Sequence, residues 1–221
     1  MSYEAHNAEL AQWFKIGEDI KGMPFFFVKS PSAFIRHLAA IELPDIRPLL
    51  HHPIDPPYGQ VTGEVELGIV MKRRAHRIQP HAVRDHVLGY TIFNDITQRD
   101  TELAGYPVAL SKGFHTFSPI GPHIVPADTI ADPQSLTFEL RVNGKAHQHG
   151  TLSEMIFSIE ELVSKASHIF LLEPGDIVTT GSPPGMFEYH LHPGDVIEAE
   201  IEHIGTLRNP VVFHPSEGRA S

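Results

Sequence analysis

Glu64 and Glu66 stand two residues apart in Gly63-Glu64-Val65-Glu66-Leu67. On an extended strand that spacing puts both carboxylates on one face, with Val65, Leu67 and Ile69 on the other as an apolar anchor. Two like charges side by side repel, and a cation between them resolves the repulsion. A solvated strand face has the same pattern, and Glu198, Glu200 and Glu202 repeat it further along, so spacing alone does not decide. Asp95 adds the third acid. It follows the apolar run Gly89-Tyr90-Thr91-Ile92-Phe93, at a strand end where ligands commonly sit. Three carboxylates in a chain without cysteine describe an all-oxygen site. Such a site suits Mg²⁺ or Mn²⁺, admits Ca²⁺, and is less suited to zinc. Three protein ligands on an octahedral ion leave positions for water and a chelating substrate.

A second constellation is His6 and Glu9. At i, i+3 on a helix the two side chains meet. A carboxylate that accepts the imidazole N–H fixes the tautomer and raises the basicity of the other nitrogen, which makes a water-activating base. The same spacing also describes a solvated pair on a fraying terminal helix. Lys112, in Ser111-Lys112-Gly113-Phe114, and Arg99 are the local cations. His51-His52, His147-x-His149 and His190-x-His192 lie in polar, turn-like contexts and read as surface histidines. There is no phosphate-cradling glycine loop and no G-x-S-x-G elbow.

The elements that must carry these residues are mostly strands. Residues 64–70 and 87–93 read as strands, and 136–142 alternates into the hairpin turn Asn143-Gly144. In 196–204, Ile197, Ala199 and Ile201 share one face. Thr151 and Glu154 form a capping-box signature, and Leu152, Met155, Ile156, Ile159, Leu162, Val163 and Ala166 follow at helical spacing. A shorter helix is expected from Glu4 to about Phe14. Strands and helices do not alternate regularly, which argues against Rossmann and TIM architectures and for a β-rich, mixed α+β fold.

The 221 residues suit one domain with a sizeable core. A net charge of −10 argues against nucleic acid as a partner. An anionic substrate would need capture by a metal or by a few placed Lys and Arg residues. No apolar run approaches a membrane span, and the polar N-terminus does not read as a signal peptide, so a cytoplasmic protein is expected.

From about Tyr3 to Val212 the chain resembles the fumarylacetoacetate hydrolase superfamily, in its compact single-domain branch. The matching pieces run in order: Tyr3-x-x-His6-x-x-Glu9, Phe26-Phe27-Val28-Lys29, Gly63-Glu64-Val65-Glu66-Leu67, and Gly89-Tyr90-Thr91-x-x-Asn94-Asp95-x-Thr97-x-Arg99-Asp100. Then come Lys112-Gly113-Phe114, Pro119-Ile120-Gly121-Pro122, Val142-Asn143-Gly144, Met155-Ile156-Phe157-Ser158, Pro174-Gly175-Asp176, Gly181-Ser182-Pro183-Pro184-Gly185 and Pro193-Gly194-Asp195. His115 stands where relatives commonly carry Asp, a change that bears on substrate choice, and Ser182 where Thr is usual.

The resemblance implies a β-sandwich roll with few helices, usually a homodimer. It implies residues 1–20 as an N-terminal lid and 21–215 as the catalytic domain. It implies Mg²⁺ or Mn²⁺ at Glu64, Glu66 and Asp95, a catalytic His6–Glu9 pair on the lid, a catalytic and substrate-binding role for Lys112, and substrate contacts at Arg99 and Ser182. The activity it implies first is hydrolytic carbon–carbon cleavage of a small anionic 2-oxo acid of the acylpyruvate or fumarylpyruvate type. Decarboxylation or isomerisation of a 2-oxo or 2-hydroxy-dienoic diacid in aromatic catabolism comes second, and a metal-binding homologue without activity third.

Overall fold

The computed structural model describes residue 4, residues 22–50 and residues 53–214. Among the described residues twelve segments fold as strands. These are β1 (Phe34–Arg36), β2 (Ile41–Leu43), β3 (Val61–Thr62), β4 (Val65–Met71), β5 (Val87–Asn94), β6 (Thr97–Gln98), β7 (Ser118–Pro126), β8 (Thr137–Val142), β9 (Lys145–Thr151), β10 (Ile177–Thr179), β11 (Val196–Ile201) and β12 (Gly205–Phe213). The helices are short: α1 (Arg99–Leu103), α2 (Val108–Ser111) and α3 (Ile159–Ile169). None among the described residues is long and apolar enough to cross a membrane.

Two five-stranded sheets form, in the orders β1-β7-β5-β4-β10 and β2-β12-β11-β8-β9, and β3 pairs with β6. β1 runs parallel to β7 and β2 parallel to β12, while the remaining pairs are antiparallel. The protein is thus a mixed, β-rich α+β fold. Val65, Leu67 and Ile69 are buried in the same core as Leu140, Ile197, Ala199 and Leu207 of the second sheet, so the apolar face of β4 anchors it as its alternation implies. Fully burying side chains of this kind contributes roughly 1.5–3 kcal/mol each. β4 is buried along its whole length, so its other face is covered as well.

The long helix starts later than the first capping signature suggests. Thr151 accepts from Ser153 N, but it caps only one 3₁₀ turn, Leu152–Glu154, after which Met155 is extended. The true cap is Ser158. Its hydroxyl accepts from Glu161 N at 3.1 Å, and Glu161 Oε2 accepts from Ser158 N at 2.9 Å. Gln134 pins the helix start by accepting from Ile159 N at 3.0 Å. The helix expected over residues 4–14 lies, beyond Glu4, outside the described residues, as does the lid.

Candidate metal centre

Glu64 precedes β4, Glu66 lies in it, and Asp95 follows β5. The antiparallel register places Val65 opposite Asn94 and Glu66 opposite Phe93. Two hydrogen bonds fix the strand ends together: Asp95 N donates to Glu64 O at 2.8 Å, and Glu64 N donates to Asn94 Oδ1 at 3.0 Å. Gly63 makes this approach possible. A Cβ there would stand 2.6 Å from Asn94 Oδ1 and 2.6 Å from Ile197 Cδ1. Tyr189 clamps the same glycine, its hydroxyl accepting from Gly63 N at 3.0 Å and donating to Gly63 O at 2.7 Å. The result is three buried carboxylates, of Glu64, Glu66 and Asp95, each with an oxygen within 4.8 Å of the other two.

Cations hold this anionic cluster from two sides. Lys112, at the end of α2, donates to Asp95 Oδ2 at 2.7 Å, Thr97 Oγ1 at 2.7 Å and Glu64 Oε1 at 3.2 Å. Lys29 takes the other Asp95 oxygen, Oδ1, at 2.7 Å, and also donates to Phe117 O at 3.0 Å and Ile96 O at 3.4 Å. Lys29 was not singled out by spacing. It ends the aromatic run Phe25-Phe26-Phe27-Val28, and only its place in the family pattern marked it. Burial lowers the Lys29 pKa despite the neighbouring Asp95. Burial also opposes the charge on Lys112, but Asp95 and Glu64 outweigh it and raise the pKa.

Arg99 is 1% exposed. Its guanidinium bonds Glu64 Oε1, Glu102 Oε2 at 2.6 Å and Thr62 Oγ1 at 2.8 Å. It braces Glu64 from inside the protein, where all three arms of the fork are used. In this arrangement Arg99 is a positioning residue for Glu64, and a contact with substrate, which the resemblance implies, is a proposal. Ser182 is buried too. Its hydroxyl accepts from Gln148 Nε2 at 2.9 Å, and Gln148 Oε1 accepts from Val65 N at 3.1 Å. Ser182 thus braces β4 in this conformation, where direct substrate contact was expected. His115 is exposed, its ring at the Ser32 carbonyl, 3.4 Å away. His6 and Glu9 lie outside the described residues.

Of the paired histidines, His51 and His52 also lie outside. His149 and His192 are exposed. His147 and His190 are half-buried, correcting the surface reading: His147 stacks on Tyr189 at 4.4 Å between ring centroids. Glu198, Glu200 and Glu202 do not gather into a metal site. Arg141 reaches Glu200 at 2.5 Å and Glu198 at 3.9 Å, and Arg208 reaches Glu198 at 3.8 Å.

The electrostatics fit a divalent cation. Burial, then the charges of Asp95 and Glu64, push the Glu66 carboxyl up to about 7. The ion pairs of Lys29, Lys112 and Arg99 go to Asp95, Glu64 and Glu102, so Glu66 faces two other carboxylates without a cation of its own among the described residues. An ion bound by all three would remove the repulsion, and an all-oxygen donor set matches Mg²⁺ or Mn²⁺. Beside Glu66 and Asp95 opens a cavity of about 520 Å³ that also has Lys29 in its wall and extends to α3.

Residues 1–212 match the family model described as Fumarylacetoacetate (FAA) hydrolase C-terminal. Uncharacterized protein PH0643 of Pyrococcus horikoshii is 42% identical over 206 residues, covering 91% of this chain and 84% of that protein. Oxaloacetate tautomerase FAHD2A, mitochondrial, of Bos taurus is 36% identical over 191 residues, covering 83% of this chain and 60% of that one. Among solved structures, a 5-carboxymethyl-2-hydroxymuconate delta-isomerase from Mycobacterium smegmatis superposes with a TM-score of 0.78 at 32% identity, over 97% of this chain and 76% of that one. The maleylpyruvate hydrolase of Sphingobium sp. SYK-6, in complex with manganese(II) and pyruvate, gives 0.77 at 27% identity, over 96% and 68%. The match across nearly the whole sequence, with the acidic triad in place, shows that this chain belongs to the fumarylacetoacetate hydrolase family.

Proposed function

We propose that the protein is a divalent-metal-dependent hydrolase that cleaves a carbon–carbon bond in a small 2-oxo acid of the acylpyruvate type. The observation that carries this reading is the buried Glu64–Glu66–Asp95 triad, gripped by Lys29 and Lys112 and opening onto a chamber. Bound at the triad, Mg²⁺ or Mn²⁺ would supply Lewis acidity toward the carboxylate and 2-oxo oxygens of the substrate. Lys29 and Lys112 hold the two oxygens of Asp95, so two fixed ammonium charges stand next to the triad and offset the negative charge that develops beside it. His6, oriented by Glu9, takes a proton from water as the water adds to the distal carbonyl. The C3–C4 bond then breaks, its electron pair passes to C3 as the enolate of pyruvate, and protonation at C3 completes the products, pyruvate and a carboxylic acid.

The second reading moves only protons. It is favoured by the oxaloacetate tautomerase at 36% identity and the isomerase at 32%, and enolate stabilisation at the same triad serves it equally. A decarboxylase would use that enolate as well, with CO₂ leaving. The test is a panel of acylpyruvates, fumarylpyruvate and oxaloacetate assayed with Mg²⁺. Release of pyruvate from an acylpyruvate supports the first reading. Keto–enol exchange of oxaloacetate with no cleavage of any acylpyruvate supports the second. A homodimer is part of the proposal, and light scattering in solution tests it.

A further inference from the structure

We infer that the chamber beside the triad selects 2-oxo acids whose distal group is apolar, an aryl or branched alkyl chain, over diacids. This rests on the proposed chelation of a 2-oxo acid at the metal centre and deepens it. The chamber has Glu66 and Asp95 in its wall, so it offers a substrate held at the triad a space for its distal group. At about 520 Å³ it is well above what a four-carbon diacid fills, and within the range of sites that enclose larger ligands.

The wall away from the carboxylates is aromatic and aliphatic. Phe26 and Phe170 meet edge to face at 6.2 Å, and Phe34 and Phe93 lie tilted at 6.1 Å. Leu162 and Ala166 of α3 close the far side. Among the described residues Lys29 is the only cation in the lining, and its three donors are already spent on Asp95, Phe117 O and Ile96 O. Besides Glu66 and Asp95, the remaining charge among the described lining residues is Asp176, also an acid. A distal carboxylate would meet no described cation with a donor to spare and would face like charge. A phenyl ring there would lose apolar surface to water-free contact.

The experiment compares three unreactive chelators on the Mg²⁺-loaded full-length protein by titration calorimetry: oxalate, N-benzyloxamate and N-oxalylglycine. They share the chelating head and differ in the distal group. N-benzyloxamate is expected to bind at least tenfold tighter than N-oxalylglycine. Leu171, half exposed and in the chamber wall, tolerates a charge, and Leu171→Arg should shift the ratio at least tenfold toward N-oxalylglycine. If oxalate itself does not bind, the chelation reading falls and this inference with it. If oxalate binds but N-oxalylglycine is the equal or tighter ligand, this inference alone is overturned.

Discussion

Lys29 and Asp95, 66 residues apart, meet at 2.7 Å. That contact ties the segment before β1 to the metal centre, and Lys112 holds the opposite carboxylate oxygen at the same distance. Asp95 is thus oriented twice over before any ion arrives. Partners of this kind around a metal ligand are worth about 10- to 100-fold in metal affinity or activity. Lys29→Met is expected to cost that much in kcat/KM with the fold intact by circular dichroism. Activity equal to the parent protein would show that Lys29 is only a structural tie.

Lys112→Met should slow turnover further, by about 100-fold or more, since it removes a charge that faces both Glu64 and Asp95. Removing one partner from a buried ion pair leaves the other uncompensated and costs about 3–5 kcal/mol. The metal-free variant should therefore melt well below the parent, and saturating Mg²⁺ should restore most of the difference. A variant with full activity contradicts the assignment.

Arg99→Met separates bracing from substrate contact. With Glu64, Glu102 and Thr62 on its guanidinium, the loss should appear as about 3–5 kcal/mol in urea denaturation. Unchanged stability with a raised KM would instead restore the substrate-contact role.

Much of this centre was legible in the sequence. Glu64, Glu66 and Asp95 are marked by strand periodicity and a strand end, which are local signals. Lys29 was not legible, because its partnership crosses 66 residues and nothing in its neighbourhood announces it. Arg99 could be read as a cation near acids, but its burial with Glu102, three residues on in the same helix, is a property of the packed interior. The start of α3 was misplaced because Thr151-x-x-Glu154 and Ser158-x-x-Glu161 carry similar capping signatures. Only the second has the reciprocal bond from Ser158 N to Glu161. Ser158→Ala should accordingly cost about 1 kcal/mol, whereas Thr151→Ala should leave α3 unaffected by circular dichroism.

The proton on Glu66 sets a pH dependence. Its carboxyl is raised to about 7 in the metal-free fold, above an unfolded value of about 4.3. A raised carboxyl favours the fold while protonated, so its contribution to metal-free stability is lost as pH rises from about 4.3 through 7. An ion must displace that proton. Mn²⁺ affinity should therefore rise with pH up to about 7 and level off above it. Calorimetry at about pH 6 in buffers of different ionisation enthalpy should register release of close to one proton. Affinity that is flat across this window contradicts the assignment.

His6→Ala distinguishes the two catalytic readings. Hydrolysis needs an activated water, so the variant should retain oxalate binding and lose about 100-fold or more in cleavage. Near-parental turnover would favour a reaction in which no water is activated.

The most direct test of the account is a Mn²⁺ titration followed by electron paramagnetic resonance, on the parent protein and on Glu66→Gln. Loss of the free-ion signal should saturate at one ion per chain in the parent, and the variant, with one anionic ligand removed from the triad, should bind at least tenfold more weakly. Equal affinity and stoichiometry in the two proteins would place the ion elsewhere and contradict the metal centre on which the proposed function rests.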